Sequence, residues 1–211
     1  MFHIYATVAF LYVAIRFVYP LPLAGIWRWL IGLGLLAASK YHLLILAFTG
    51  SMFSPEVPYW VAYGAGWAFT AFALLFAFTL VLDLGILLTS LAKRRRLHRR
   101  ALAKWRSAVA ALAVATSAFG VAQATRVPEV RQVEVQIAGL PESMDGFKLV
   151  QLSDLHISAL FPGPWVEEVV KRTNAVAPDL IVITGDLIDG TLQARAPRMC
   201  SHWRSCALEP G

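Results

Sequence analysis

Apolar runs dominate the chain up to about residue 125, after which short strand-like and helix-like segments alternate. Four stretches, roughly 2–19, 25–48, 60–90 and 107–125, come near or above the ~20 apolar residues that cross a bilayer core as a helix. Pro20 and Pro22 separate the first two, and the segment from Gly50 to Pro58 separates the second from the third. The fourth is Ala-rich and the least hydrophobic of the set.

From Arg126 onward the period changes. Val133, Val135 and Ile137 alternate with Glu134 and Gln136, which predicts a half-buried strand. Gly139, Pro141, Asp145 and Gly146 mark a connection, and 147–153 is a denser apolar run suited to the middle of a sheet. Gly163-Pro164 opens a predicted helix, Val166, Val169, Val170, Thr173 and Ala177 follow at helical spacing, and Pro178 stops it. A second apolar strand is expected over 180–184. Such a β-α-β unit takes a right-handed crossover and parallel strands.

Composition supports a membrane region followed by a soluble one: 58% of the 211 residues are hydrophobic. The net charge of +6 suggests nucleic acid until it is located. Lys93, Arg94, Arg95, Arg96, Arg99, Arg100, Lys104 and Arg106 form one cluster without an acid between them. The other 11 Lys and Arg face 13 Asp and Glu, so the remainder is slightly acidic. One basic cluster flanked by apolar runs is a topology signal, and no nucleic-acid partner is expected. By Lys/Arg asymmetry the 91–106 loop and the loop between the first two spans, flanked by Arg16 and Arg28, are cytoplasmic. Loop 50–59, without Lys or Arg, is then outside, and everything after residue 125 is extracytoplasmic. Lys40, His42 and Asp83 fall inside spans; a snorkelling lysine and a carboxylate near a helix end account for them without function. Ala122-Gln123-Ala124 imitates a signal-peptidase site, but a retained anchor is the expectation.

The chemistry concentrates at the ends of the two strands. Asp154 and His156 follow the first, and Gly185-Asp186 closes the second. On extended backbone, residues two apart point to the same side. Parallel neighbouring strands would bring the carboxylates of Asp154 and Asp186 and the imidazole of His156 around one point, a donor set for a hard or borderline cation. The plainer alternative makes Asp154 and Asp186 turn caps and His156 a strand-end residue.

Ser153-Asp154-Leu155-His156 and Gly185-Asp186-Leu187-Ile188-Asp189 together resemble the first two motifs of the calcineurin-like metallophosphoesterase superfamily. The arrangement looks most like bacterial membrane-anchored phosphohydrolases, in which several spans precede the catalytic domain. The resemblance covers about residues 130–197 and, loosely, the helical region. It implies a membrane-anchored phosphoesterase that hydrolyses phosphoric esters with two ions of iron, manganese or zinc. Asp154 and His156 would bind one ion and Asp186 would bridge both, while Asp189 orients the loop. The ions, ~3.5–4 Å apart, would activate a water and stabilise the departing oxygen. The expected architecture is a multi-span α-helical membrane region (1–125), a partial α/β metallophosphoesterase domain (126–197) forming an incomplete β-sandwich flanked by helices, and an unusual tail (198–211).

The superfamily's later motifs, Gly-Asn-His-Glu or Gly-Asn-His-Asp, a further His and Gly-His-x-His, do not occur in residues 1–211. This chain is therefore expected to hold one ion or none and to be inactive or nearly so. The tail from Arg198 shows neither strand alternation nor a helical stripe, and it contains both cysteines, Cys200 and Cys206. These could form a disulfide outside the cytoplasm. In another reading frame the tail's codons can encode a peptide resembling the one that precedes Gly-Asn-His in the superfamily. A frameshift near Pro197, truncating a phosphoesterase, is the expectation, and the DNA after codon 197 tests it. Two other readings stand beside the enzyme: a non-catalytic membrane protein and a gene remnant. The expected setting is the inner membrane, multi-pass, with the bilayer as partner and a phosphate ester of unknown kind as substrate.

Overall fold

The computed structural model describes residues 2–51, 56–93 and 99–189. The tail 198–211, with Cys200 and Cys206, and the end of the 126–197 segment lie outside them. The chain divides into two compact units, Met1–Met52 with Trp60–Ala124, and Phe53–Tyr59 with Thr125–Gly211.

The first unit is helical. Helix α1 (Phe2–Val13) runs on into a π-helical turn, Ala14–Val18. Then come α2 (Gly25–Ser39), α3 (Tyr41–Thr49), α4 (Tyr59–Lys93) and α5 (Arg99–Ala124). Among the described residues, two helices are long and apolar enough to cross a membrane, Tyr59–Ala92 and Ala101–Ala124, and the bent pair α2–α3 makes a third if it is one span. The expected first span falls short: Phe2–Val18 reaches only about 26 Å at 1.5 Å per residue, against a hydrocarbon core of ~30 Å.

The expected continuous span 25–48 is broken. α2 and α3 meet at 61° at Lys40, whose backbone leaves the helical region (φ −112°, ψ 10°). Lys40 does not snorkel outward as its sequence position suggested. Its ammonium turns inward and donates to the His3 carbonyl (2.9 Å) and to Thr7 Oγ1 on α1. Partners on a neighbouring helix are a better environment for that charge than hydrocarbon, and reaching them ties the bend to α1. The core where α1, α4 and α5 meet consists of Val13, Phe17, Val18, Phe72, Leu75 and Ala113. Ser117 on α5 adds a hydrogen bond to the Trp67 carbonyl of α4 (2.9 Å).

The second unit contains β1 (Leu149–Ser153), α6 (Gly163–Ala175) and β2 (Leu180–Thr184). The strands pair parallel with Leu149 opposite Leu180 and Ser153 opposite Thr184, the expected β-α-β unit. Asp179 sets this register: its carboxylate accepts the Lys148 N–H (2.7 Å) and its own N–H reaches the Lys148 carbonyl (2.9 Å). α6 packs Val166, Val169 and Val170 against Leu155 and Ile157, with Leu152, Trp165, Leu187 and Val127 around them. Arg172 clamps the incoming chain by donating to the carbonyls of Val127 and Pro128 (3.0 and 3.1 Å).

The strand expected over 133–137 is absent. Those residues are exposed coil, with Val133 81% accessible. Alternation makes a strand only where a partner edge accepts its hydrogen bonds, and the described residues provide just the β1–β2 pair. The same fact leaves the expected β-sandwich as a two-stranded parallel sheet with one helix among the described residues.

Candidate metal centre

Asp154, His156 and Asp186 converge, each offering one ligand atom within 4.8 Å of the others. The route differs from the one strand geometry suggested. β1 ends at Ser153, and both Asp154 (φ 53°) and His156 (φ 43°) lie in the left-handed region. The two side chains thus converge from left-handed backbone rather than from strand alternation. Non-glycine residues in this region are uncommon, and they persist where surrounding contacts over-determine them.

Those contacts form a backbone zipper between the two post-strand loops. His156 N–H donates to the Asp186 carbonyl (2.9 Å), Ile157 N–H to the Leu187 carbonyl (3.0 Å), and Asp189 N–H to the Ile157 carbonyl (3.1 Å). Ile157 and Ile188 form a parallel bridge beyond the named strands, and the buried side chains of Leu155 and Ile157 anchor the first loop beneath the site. Buried Leu155 and Ile157 thus hold the loop down while Asp154 is exposed and His156 half-buried.

Gly185 takes φ 76°, and a Cβ there would meet only Asp154 Oδ1, at an ordinary 3.9 Å. Space is available, so any cost of substitution is conformational, about 1–2 kcal/mol for a residue forced into this region. Gly185→Val is expected to lower the stability of the purified chain by that amount. Gly185→Asn, which tolerates the conformation, is expected to lose less. Comparative thermal unfolding checks the order.

Asp189 lies beside the imidazole. Its Oδ1 is 2.9 Å from His156 Nδ1, while Nε2 faces Asp186 Oδ2 at 3.9 Å. A carboxylate on Nδ1 favours the tautomer with the proton there and leaves the Nε2 lone pair for a cation. A cation with bonds of about 2.0–2.2 Å needs ligand atoms somewhat closer than these, and exposed side chains can close that gap by rotamer adjustment. The Asp189 hydrogen bond also holds the imidazole pKa above its ordinary value, with the charges of Asp186 and Asp154 acting in the same direction.

A cation must displace the Nε2 proton of the imidazolium. Metal affinity is therefore expected to fall as pH drops through the raised imidazole pKa, with onset at higher pH than for an ordinary histidine. Asp189→Asn should move this onset to lower pH and weaken metal binding ~10–100-fold at neutral pH, as loss of an outer partner typically does. Calorimetric titration with Mn²⁺ across pH reads both effects.

In sequence terms the three predicted ligands come together. Asp189 lies against His156 itself, a contact that the spacing in Gly-Asp-x-x-Asp does not specify.

The chain resembles several proteins named for this chemistry. It is 31% identical over 136 residues, 63% of this chain and 31% of the relative, to a transmembrane protein with a metallophosphoesterase domain from Danio rerio. It is 38% identical over 73 residues to a protein of the same description from Bos taurus, covering 35% of this chain and 16% of that one. An uncharacterized metallophosphoesterase of Bacillus subtilis is 41% identical over 61 residues, 29% of this chain and 21% of its own length. The Danio rerio match covers more than residues 126–211 can hold, so it reaches back into the helices. The chain spans less than a third of the length of each of these relatives. No protein-family model matches it, and no solved structure does. By its similarities, then, this chain is a relative of animal and bacterial proteins that are named for a metallophosphoesterase domain, some of them for transmembrane segments as well.

Proposed function

We propose that the chain is a membrane-anchored, metal-dependent phosphoesterase of the metallophosphoesterase superfamily, with Asp154, His156 and Asp186 as ligands of a divalent cation. The observation that carries this reading is the meeting of their ligand atoms at the C-terminal ends of two parallel strands. The chemistry such an ion supplies when bound is polarisation of a phosphoryl oxygen and acidification of water. The chain's own residues hold the cation, and Asp189 keeps His156 in the metal-accepting tautomer. Asp186 would be the carboxylate shared with a second ion, and iron, manganese and zinc all suit the mixed oxygen and nitrogen donors.

The remaining ligands of a second ion belong to the Gly-Asn-His stretch and later histidines, which residues 1–211 do not contain. Residues 1–211 thus supply three donors to one ion and only Asp186 to a second. The basic cluster faces the cytoplasm of a bacterial inner membrane and the metal centre lies on the opposite side. The substrate is a phosphoric ester whose remaining parts are open.

Metal analysis of the purified full chain, with hydrolysis of an aryl phosphate, tests the site. One ion per chain, lost in Asp154→Asn, is the expected result. No bound ion at saturating Mn²⁺ or Zn²⁺ overturns the site, and two ions with turnover overturn the single-ion reading. Protease accessibility of residues 126–189 in sealed vesicles of known orientation tests the topology.

A further inference from the structure

The helical unit contains a second charged cluster with no part in the phosphoesterase reading. Asp83 on α4 accepts hydrogen bonds from Tyr12 Oη (2.7 Å) and Arg16 Nε (2.6 Å). Arg106 on α5 lies within electrostatic reach of Asp83, Arg16 and Tyr12. Arg106 is 7% exposed, and its buried Nε has no hydrogen-bond partner among the described residues. It continues the face of α5 on which Val109, Ala110 and Ala113 pack into the core. Arg16 sits in the π-helical turn, a distortion frequent at functional sites.

The charges do not balance. Asp83 is the sole carboxylate in the sequence of α1, α4 and α5, yet it is bonded to one guanidinium, Arg16, and within electrostatic reach of a second, Arg106, neither of which can deprotonate. However Arg106 and the free Asp83 Oδ1 adjust to each other, one positive charge remains. A largely buried, uncompensated guanidinium is costly in a membrane unless an anion meets it.

Position indicates which anion. From Trp60, an interfacial residue type, to Asp83 is about 35 Å along α4, roughly one hydrocarbon thickness, so the cluster lies at headgroup depth. It is the leaflet toward which α4 and α5 carry their basic ends, Lys93 and Arg99. Phosphate is the anion there, and guanidinium groups recognise it well.

We propose that Arg16 and Arg106, braced by Asp83 and Tyr12 where α1, α4 and α5 meet, form a phosphate-binding site for the headgroup of an anionic phospholipid. Asp83 neutralises one guanidinium and aims it; the other charge is left for the ligand. Free inorganic phosphate offers the same chemistry without the acyl chains.

Native mass spectrometry of the full chain, reconstituted with phosphatidylglycerol or phosphatidylcholine, tests the site. Wild type is expected to retain one phosphatidylglycerol in preference to phosphatidylcholine. Arg106→Gln should cut that retention about fivefold, the scale of one basic residue near an anionic surface. Lys104→Gln, which removes an exposed charge two residues away, should leave it unchanged and so separates the site from general attraction by the basic loop. Arg106→Lys keeps the charge and should retain lipid even if Arg106→Gln fails to fold. Retention that persists in millimolar inorganic phosphate identifies the lipid as the ligand; displacement by phosphate alone assigns the site to the bare anion and overturns the lipid. Equal retention of the two lipids by wild type, or full retention by folded Arg106→Gln, overturns the proposal.

Discussion

Asp186→Asn is expected to abolish metal binding while leaving the metal-free chain folded. The substitution keeps the shape of the side chain and removes the charge that draws a cation. Affinity for Mn²⁺ should fall by more than the ~10–100-fold that follows loss of an outer-shell partner, because Asp186 offers a ligand atom itself. Stability should hardly change. The side chain is 73% exposed and stands 3.9 Å from His156 Nε2, an ion pair of little value in water. The contact that closes the loops uses the Asp186 main-chain carbonyl, which the substitution leaves in place. Three carboxylates, Asp154, Asp186 and Asp189, also surround one imidazole, so removing one relieves repulsion in the metal-free chain. Loss of metal binding with stability equal to or slightly above wild type is the signature of a site kept for its ligand. Unchanged Mn²⁺ affinity in calorimetry would remove Asp186 from the centre, and a large loss of stability would make it structural.

What the sequence disclosed depended on whether the determining contacts were local. The strand 180–184 and the helix opened by Gly163-Pro164 were legible because period, turn residues and Pro178 agreed. The alternation Val133–Val135–Ile137 had the right period but no partner edge, which no local pattern supplies. The three candidate ligands were legible as residue types at strand ends. The left-handed backbone at Asp154 and His156 was not, since it follows from the zipper between two distant loops. The apolar run 25–48 hid a bend because the partners that stabilise it, His3 and Thr7 of α1, lie more than thirty residues upstream of Lys40. Arg16, Asp83 and Arg106 are far apart in the chain and looked like topology signals or helix-end charges. Their meeting required the packing of three helices.

Asp83→Ala is the second substitution expected to have a large effect, this time on stability. Its carboxylate is 10% exposed and joins α4 to α1 through Tyr12 and Arg16. Breaking a buried ion pair typically costs ~3–5 kcal/mol, most of it the penalty of the charge left behind. Arg16 is 47% exposed and can turn toward water, so the lower end, about 2–3 kcal/mol, is expected. Equilibrium unfolding of the detergent-solubilised chain measures it. Asp83→Asn should lose a similar amount, because the charge rather than the volume is what the arginines need. Pairing Arg16→Leu with Asp83→Leu should recover only part of the loss, since buried Arg106 still lacks a counter-charge. The surroundings then modulate the effect. Removing Asp83 leaves two guanidinium charges unmatched, so an anionic headgroup should compensate more than it does in wild type. The destabilisation by Asp83→Asn should therefore be smaller in phosphatidylglycerol than in phosphatidylcholine. Equal losses in the two lipids would mean that no headgroup reaches the arginines, and wild-type stability in Asp83→Ala would mean that the cluster does not hold the helices together.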